Sequence, residues 1–194
     1  MADGGVAGLV LAAGAGRRMG GPKALLRLSP TGPSLVESTV THLHDAGVAD
    51  VHVVVGSAAP NVRARAERVG GLVVEAEDWD EGMGASLRRG LDVLATTDAR
   101  AAILMLVDLP DVGHAVHERM LTCVDGQLEG ALVRAAYDGR AGHPVLLGRD
   151  HWARVRQHAV GDHGARTYFD LHPPVLVECG DLATGRDIDR PHDV

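Results

Sequence analysis

A chain of 194 residues with 45% hydrophobic and 23% charged side chains has the proportions of one globular domain spanning residues 1–194, which excludes wholesale disorder and fibrous repeats. Nineteen Lys and Arg against 26 Asp and Glu give a net charge of -7, the wrong sign for a broad basic face that would hold nucleic acid. Two cysteines, Cys123 and Cys179, lack CxxC spacing and imply neither a disulfide framework nor a structural zinc, so a cytoplasmic setting is expected.

The first predicted element is a buried strand, Val6 to Ala12, whose apolar run ends before Arg17 and Arg18 and is too short for a signal peptide or a membrane span. Ser34 and Glu37 form a capping box ahead of Val36, Val40 and Leu43, the spacing of an amphipathic helix. Strands follow at Val51 to Val55 and Leu72 to Val74, then a second helical stripe at Leu87, Leu91 and Leu94, then a strongly apolar strand at Ala101 to Val107. Ala131 to Val133 and Val145 to Leu147, separated by Tyr137, Asp138 and several glycines, read as a hairpin-like insertion, and Val175 to Val177 is the last strand. Strands alternating with helices require crossovers that bury a sheet on both faces. A three-layer α/β domain with a mainly parallel sheet is therefore predicted, with ligands bound beyond the carboxyl ends of its strands.

The loop after the first strand holds Gly14, Gly16, Gly20 and Gly21, interleaved with Arg17, Arg18 and the only lysine in the chain, Lys23. Missing side chains let main-chain N–H groups cradle an anion while the cations supply counter-charge, which suits a triphosphate. The standard phosphate motifs do not fit. Met19 stands where the dinucleotide fingerprint needs a glycine, no acid closes the second strand at Gly56 and Ser57, and Pro22 takes the lysine position of a P-loop begun at Gly16. Asp108, at the carboxyl end of the strand from Ala101, is the candidate metal carboxylate; Asp111 reads as a turn or capping residue.

The run Leu11-Ala-Ala-Gly14-Ala-Gly-Arg-Arg18-Met-Gly20-Gly-Pro-Lys23 resembles the signature of the MobA-like nucleotidyltransferases, a family with a GT-A-like, Rossmann-like fold. Its members move a nucleoside monophosphate from an NTP onto a phosphorylated acceptor. The resemblance implies that Leu11, Ala12, Ala13, Gly14, Gly16 and Gly20 form the nucleotide site. It further implies that Arg18 and Lys23 neutralise the α-phosphate and leaving pyrophosphate, and that Asp108 holds Mg2+, or Mn2+ in its place. The closing run from Asp187 to Asp193 resembles the segment that brings a second carboxylate to the metal, with Asp187 the first choice and Asp189 the second. Asp78 to Leu91 resembles the nucleoside-facing segment, implying roles for Gly82, Gly84 and Ser86.

Gly142-His143-Pro144 and Gly161-Asp162-His-Gly164-Ala-Arg166 are similar to acceptor-side segments of the molybdenum cofactor cytidylyltransferases. They imply acceptor contacts at His143, Gly161, Asp162, Gly164 and Arg166, although a histidine before proline is equally an ordinary structural feature. Ala12-Ala13 matches the cytidylyl form, where guanylyl relatives usually carry glycine at the position of Ala13. The implied reaction is CMP transfer from CTP, with GTP as the alternative, to the terminal phosphate of molybdopterin or another phosphorylated acceptor. An apo-molybdoenzyme or its chaperone would receive the product. A non-catalytic molybdopterin-binding chaperone is the alternative of a different class. His42, His44, His114 and His117 suggest no ligand set and are expected at the surface.

Overall fold

The computed structural model describes residues 5–124 and 126–190, so the end of the closing run, Pro191 to Asp193, lies outside the described residues. Strands β1 (Val6–Leu11), β2 (Val51–Val55), β3 (Leu72–Glu75), β4 (Ala101–Leu106), β5 (Leu132–Tyr137), β6 (Arg140–Gly148) and β7 (Val175–Glu178) form one sheet in the order β3-β2-β1-β4-β6-β5-β7. β1 pairs in parallel with β2 and β4, and β2 with β3. β1, β2 and β4 are covered on both faces, which is why β1 and β4, and β2 apart from the buried His52, read as apolar runs instead of alternations.

The second half corrects one expectation. Asp138 and Gly139, with φ of 51° and 75°, form the left-handed pair that matches strand twist in a two-residue hairpin turn. That hairpin is no insertion: β6 is antiparallel to both β4 and β5 and lies inside the sheet, while β5 runs parallel to β7. Both strands also outrun the predicted apolar cores, because polar side chains tie the hairpin together. Arg134 Nε donates to the Gly142 carbonyl at 2.7 Å, and the Tyr137 hydroxyl donates to the His143 carbonyl at 2.6 Å.

Helices α1 (Leu35–Asp45), α2 (Ala59–Arg68) and α4 (His114–Thr122) cover one face, and α3 (Met83–Leu94), α5 (Arg149–His158) and α6 (Arg166–Leu171) the other. The capping box forms as predicted: Glu37 accepts from the Ser34 amide at 2.8 Å and the Ser34 hydroxyl at 2.6 Å. Burial by itself would raise the Glu37 pKa; the Ser34 bonds, with Arg65 and Arg68 nearby, bring it below the usual carboxylate value. Leu87, Leu91 and Leu94 pack α3 against β1 and β2, each stabilising the fold by about 2 kcal/mol on full burial. Among the described residues no helix is long and apolar enough to cross a membrane.

The histidine expectation holds for His114 alone. His42 and His44 are half-buried, and His117 is fully buried with neither ring nitrogen hydrogen-bonded among the described residues. The reason is helical periodicity: Val116, His117 and Met120 share the inward stripe of a short helix, so the ring is carried into the core by its neighbours. Burial, aided by His42 and His114, lowers the His117 pKa to about 4, and the nearby Gly113 carbonyl offsets this only in part. A base held neutral in this way contributes stability above its unfolded pKa of about 6.5 and loses it as the pH falls from there toward the folded value. Between pH 7.5 and pH 5, His117→Leu should lose about 2 kcal/mol less stability than the wild type. Urea midpoints at the two pH values check this, and parallel losses would contradict it.

Candidate active site

β1 delivers the chain to the carboxyl end of the sheet, where the glycine loop folds on itself. The Gly16 carbonyl accepts from the amides of Met19 at 2.8 Å and Gly21 at 3.2 Å. This knot requires Gly16 at φ 58°, where a Cβ would also run into the Gly21 carbonyl. A 3-10 turn at Arg17–Met19 and another at Lys23–Leu25 then carry Lys23 back over the end of β4.

Lys23 is the hub of the site. Its ammonium donates to Asp108 Oδ2 at 2.8 Å and to Asp189 Oδ1 at 2.5 Å. Burial works against the Lys23 charge, but the two carboxylates outweigh it and raise the pKa above the ordinary lysine value. Asp108, Asp187 and Asp189 each offer an oxygen within 4.8 Å of the others. The closing segment is held there by the backbone, since the Ile188 amide donates to the Asp108 carbonyl at 3.0 Å and Ile188 is buried. Among the described residues Asp108 Oδ1 is buried without a hydrogen-bond partner, so the donor set still has a lone pair to give. Asp111 instead ties the loop to the closing segment, accepting from both the amide and the hydroxyl of Thr184 at 2.6 Å.

Between the glycine loop and Asp108 opens a cavity of about 400 Å3, whose lining does not include Asp187 or Asp189. Of the sequence-predicted residues, Leu11, Ala13, Gly14, Gly16, Lys23, Gly82, Ser86, Asp108 and Asp162 line it. Ala12 does not, because strand alternation turns it into the opposite core beside Val10 and Ala24. Gly20 and Arg18 are exposed on the same loop, and Arg17, not Arg18, faces the cavity. Gly84 is a packing residue: a Cβ there would lie 2.7 Å from the Ala159 backbone, so its absence seats α3 against the segment after α5.

Gly161, Gly164, Arg166 and His143 lie outside the cavity lining. Gly164 packs beside Met83, itself a cavity residue, and Arg166 opens α6 at the surface. His143 is largely buried on β6, and burial together with the Arg134 guanidinium lowers its pKa to about 3. It is therefore neutral at pH 7. Trp79 and Asp80, within the expected nucleoside-facing segment but not singled out there, and Leu106, for which the sequence suggested no role, also line the cavity. Trp79 had a usable signal, being one of two tryptophans and set among acidic and glycine residues.

The Lys23 ammonium lies between Asp108 and Asp189, where a divalent cation held by the same carboxylates would sit, so the two cations would compete. Lys23→Met should bind Mn2+ several-fold more tightly than wild type when no nucleotide is present, measured by the loss of free-Mn2+ electron paramagnetic resonance signal. Unchanged or weaker affinity would place the metal elsewhere.

Comparison with known proteins places the chain in a family. The chain is 35% identical over 95% of its length to the nicotine blue oxidoreductase of Paenarthrobacter nicotinovorans, covering 92% of that protein. Among solved structures it resembles a nucleotidyl transferase from Methanothermobacter, with a TM-score of 0.80 and 25% identity over 97% of this chain and 93% of that one. It also resembles Rv0371c of Mycobacterium tuberculosis in complex with manganese, with a TM-score of 0.67 and 28% identity over 90% of this chain and 86% of that one. The profile of the MobA-like NTP transferase domain matches residues 8–175, and the chain belongs to that family.

Proposed function

We propose that the protein transfers CMP from CTP to the terminal phosphate of molybdopterin, releasing pyrophosphate, with a divalent cation at Asp108, Asp187 and Asp189. The observation that carries this reading is that the glycine loop, Lys23 and Asp108 line one cavity, with Asp187 and Asp189 offering oxygens beside Asp108. An all-oxygen donor set with an unpartnered buried Asp108 oxygen suits a hard cation such as Mg2+ or Mn2+. When bound, that ion would neutralise phosphate charge and withdraw electrons from phosphorus.

The protein's own groups do the rest by positioning. Main-chain amides of the Gly14–Gly16 turn cradle the β- and γ-phosphates, and Lys23 moves from its carboxylates to the α-phosphate and the leaving pyrophosphate. Ala13 and Ser86 on the cavity wall meet the nucleoside, where the Ala13 methyl leaves less room beside a purine. An oxygen of the acceptor phosphate then attacks the α-phosphorus in line, the new P–O bond forms, and the bond to pyrophosphate breaks. That oxygen is already anionic at pH 7, so no enzyme base or nucleophile is required.

A second reading, redox turnover, is favoured by the nicotine blue oxidoreductase likeness. Against it, the carboxylate triad and the Lys23 pairing have no task in hydride transfer, and β2 ends at Gly56 and Ser57 without an acid for a dinucleotide ribose. One panel separates the two. Purified protein with CTP, Mg2+ and molybdopterin should release pyrophosphate, with GTP a poorer substrate, and should not decolourise nicotine blue with a reduced dinucleotide. The opposite pattern would establish the redox reading; neither signal, with tight molybdopterin binding, would indicate a carrier. Asp108→Asn should slow pyrophosphate release about a thousandfold, roughly 4 kcal/mol of barrier, with an unchanged circular dichroism spectrum. Activity surviving that change would remove Asp108 from the mechanism.

A further inference from the structure

A second crevice, of about 440 Å3, opens between the tip of the β5–β6 hairpin and the closing segment. Both of its walls are pinned. Glu178 holds the tip by accepting from the amides of Asp138 and Gly139 at 3.0 Å, and Asp111 holds the other wall through the amide and hydroxyl of Thr184. The buried ring of Tyr137 lines the crevice, and a Cβ at Gly142 or Gly185 would run into it. β6 and the closing segment can therefore close on the ring only because both positions lack a side chain. Arg140 and Arg186 also line this preorganised frame; both are exposed, and among the described residues neither guanidinium reaches a carboxylate. Other arginines are treated differently: Arg88, Arg100, Arg119 and Arg156 are all paired with acids.

The crevice adjoins the carboxylate cluster. Asp187 lines it and offers an oxygen within 4.8 Å of those of Asp108 and Asp189, while Asp108 lines the glycine-loop cavity. The cluster thus touches both cavities, one through Asp108 and the other through Asp187. A cavity of about 300–1,000 Å3 holds one small ligand, and transfer between two substrates needs two sites that meet at the reacting atoms.

We infer that this crevice is the acceptor site: the phosphate monoester end of the acceptor docks at Arg140 and Arg186 beside Asp187, and its polar body lies along Tyr137. The inference rests on nucleotidyl transfer as the reaction of the main cavity. It moves the acceptor away from His143, Gly161, Gly164 and Arg166, none of which lines the crevice, and from Asp162, which lines the nucleotide cavity. A guanidinium presents a planar fork to two phosphate oxygens. Two arginines face two aspartates, Asp138 and Asp187, so the lining by itself carries no net charge. With a divalent ion on Asp187 it becomes positive, and anion binding in the crevice and cation binding at the cluster then reinforce each other. The acceptor so described carries one phosphate on a hydrogen-bonding body, as molybdopterin does.

Steady-state kinetics test this with three substitutions at exposed positions, Arg140→Gln, Arg186→Gln and Ala141→Trp, the last filling the crevice from β6. Each should raise the KM for molybdopterin, by about tenfold for either arginine, as expected for the loss of one charge-assisted hydrogen bond. The Kd for CTP, bound in the other cavity, should stay at its wild-type value. Arg186→Lys should recover only part of the loss. An unchanged KM in the two arginine variants, or a KM and a CTP Kd that rise together, would overturn the proposal. Calorimetric titration with glycerol 3-phosphate in the presence of Mg2+ gives a readout independent of turnover: wild type should bind one equivalent more than the Arg140→Gln/Arg186→Gln double variant. If wild type releases no pyrophosphate, the reaction assignment fails on its own account. An extra equivalent in wild type would still keep the crevice as a site for phosphate monoesters, and equal stoichiometry in the two proteins would remove it.

Discussion

The site depends on one ammonium group. Lys23 joins Asp108, 85 positions away in sequence, to Asp189, 166 positions away, so three segments with no local reason to meet are drawn together at the end of β4. Without a cation, carboxylates within 4.8 Å of one another would repel and the closing segment would have to be held by Ile188 and the Asp111–Thr184 bonds alone. A lysine that tethers these segments and lines the cavity would, on the proposed reading, let substrate charge be exchanged for protein charge with little rearrangement. The raised pKa of Lys23 keeps it charged throughout the physiological range.

The sheet explains why such a tether can be placed accurately. β1 and β4 are adjacent and parallel over six paired positions, and both are buried against helices on either side. Their carboxyl ends therefore emerge at one level, with the glycine loop leaving one strand and Asp108 leaving its neighbour. The interior is rigid because it is close-packed, and the loops inherit that rigidity at their anchor points. Family membership and this arrangement together support nucleotidyl transfer as the chemistry, while the identity of the acceptor rests on the second half of the sheet.

Legibility in the sequence followed the range of the interactions. Runs such as Ala101 to Leu106 and the Ser34–Glu37 box are written locally, and their strand and helix follow from composition and spacing. The glycine loop and the two acidic segments were also visible as patterns, since each is a short string of chemically distinctive residues. Side is harder to read at the end of a strand than within it: Ala12 and Ala13 are adjacent and alike, and alternation carried one step past Leu11 puts Ala12 in a core and leaves Ala13 on the cavity. Arg17 and Arg18 pose the same problem. His117 was misplaced because its polarity was weighed without the periodicity of Val116 and Met120, and the span of the hairpin strands was hidden because side-chain bonds of Arg134 and Tyr137 extend them beyond their apolar cores.

The reversal of β6 has a geometric corollary. Because β5 runs in the same direction as β4, the two-residue connection at Asp138 and Gly139 projects at the catalytic end of the molecule, and Glu178 fastens it there by accepting from the amides of Asp138, Gly139 and Gly180. That tip shares a crevice with Thr184, Arg186 and Asp187. Insertions at the tip would thus alter the surroundings of Asp187 while leaving β1 and its glycine loop untouched, so one side of the site could change without disturbing the other.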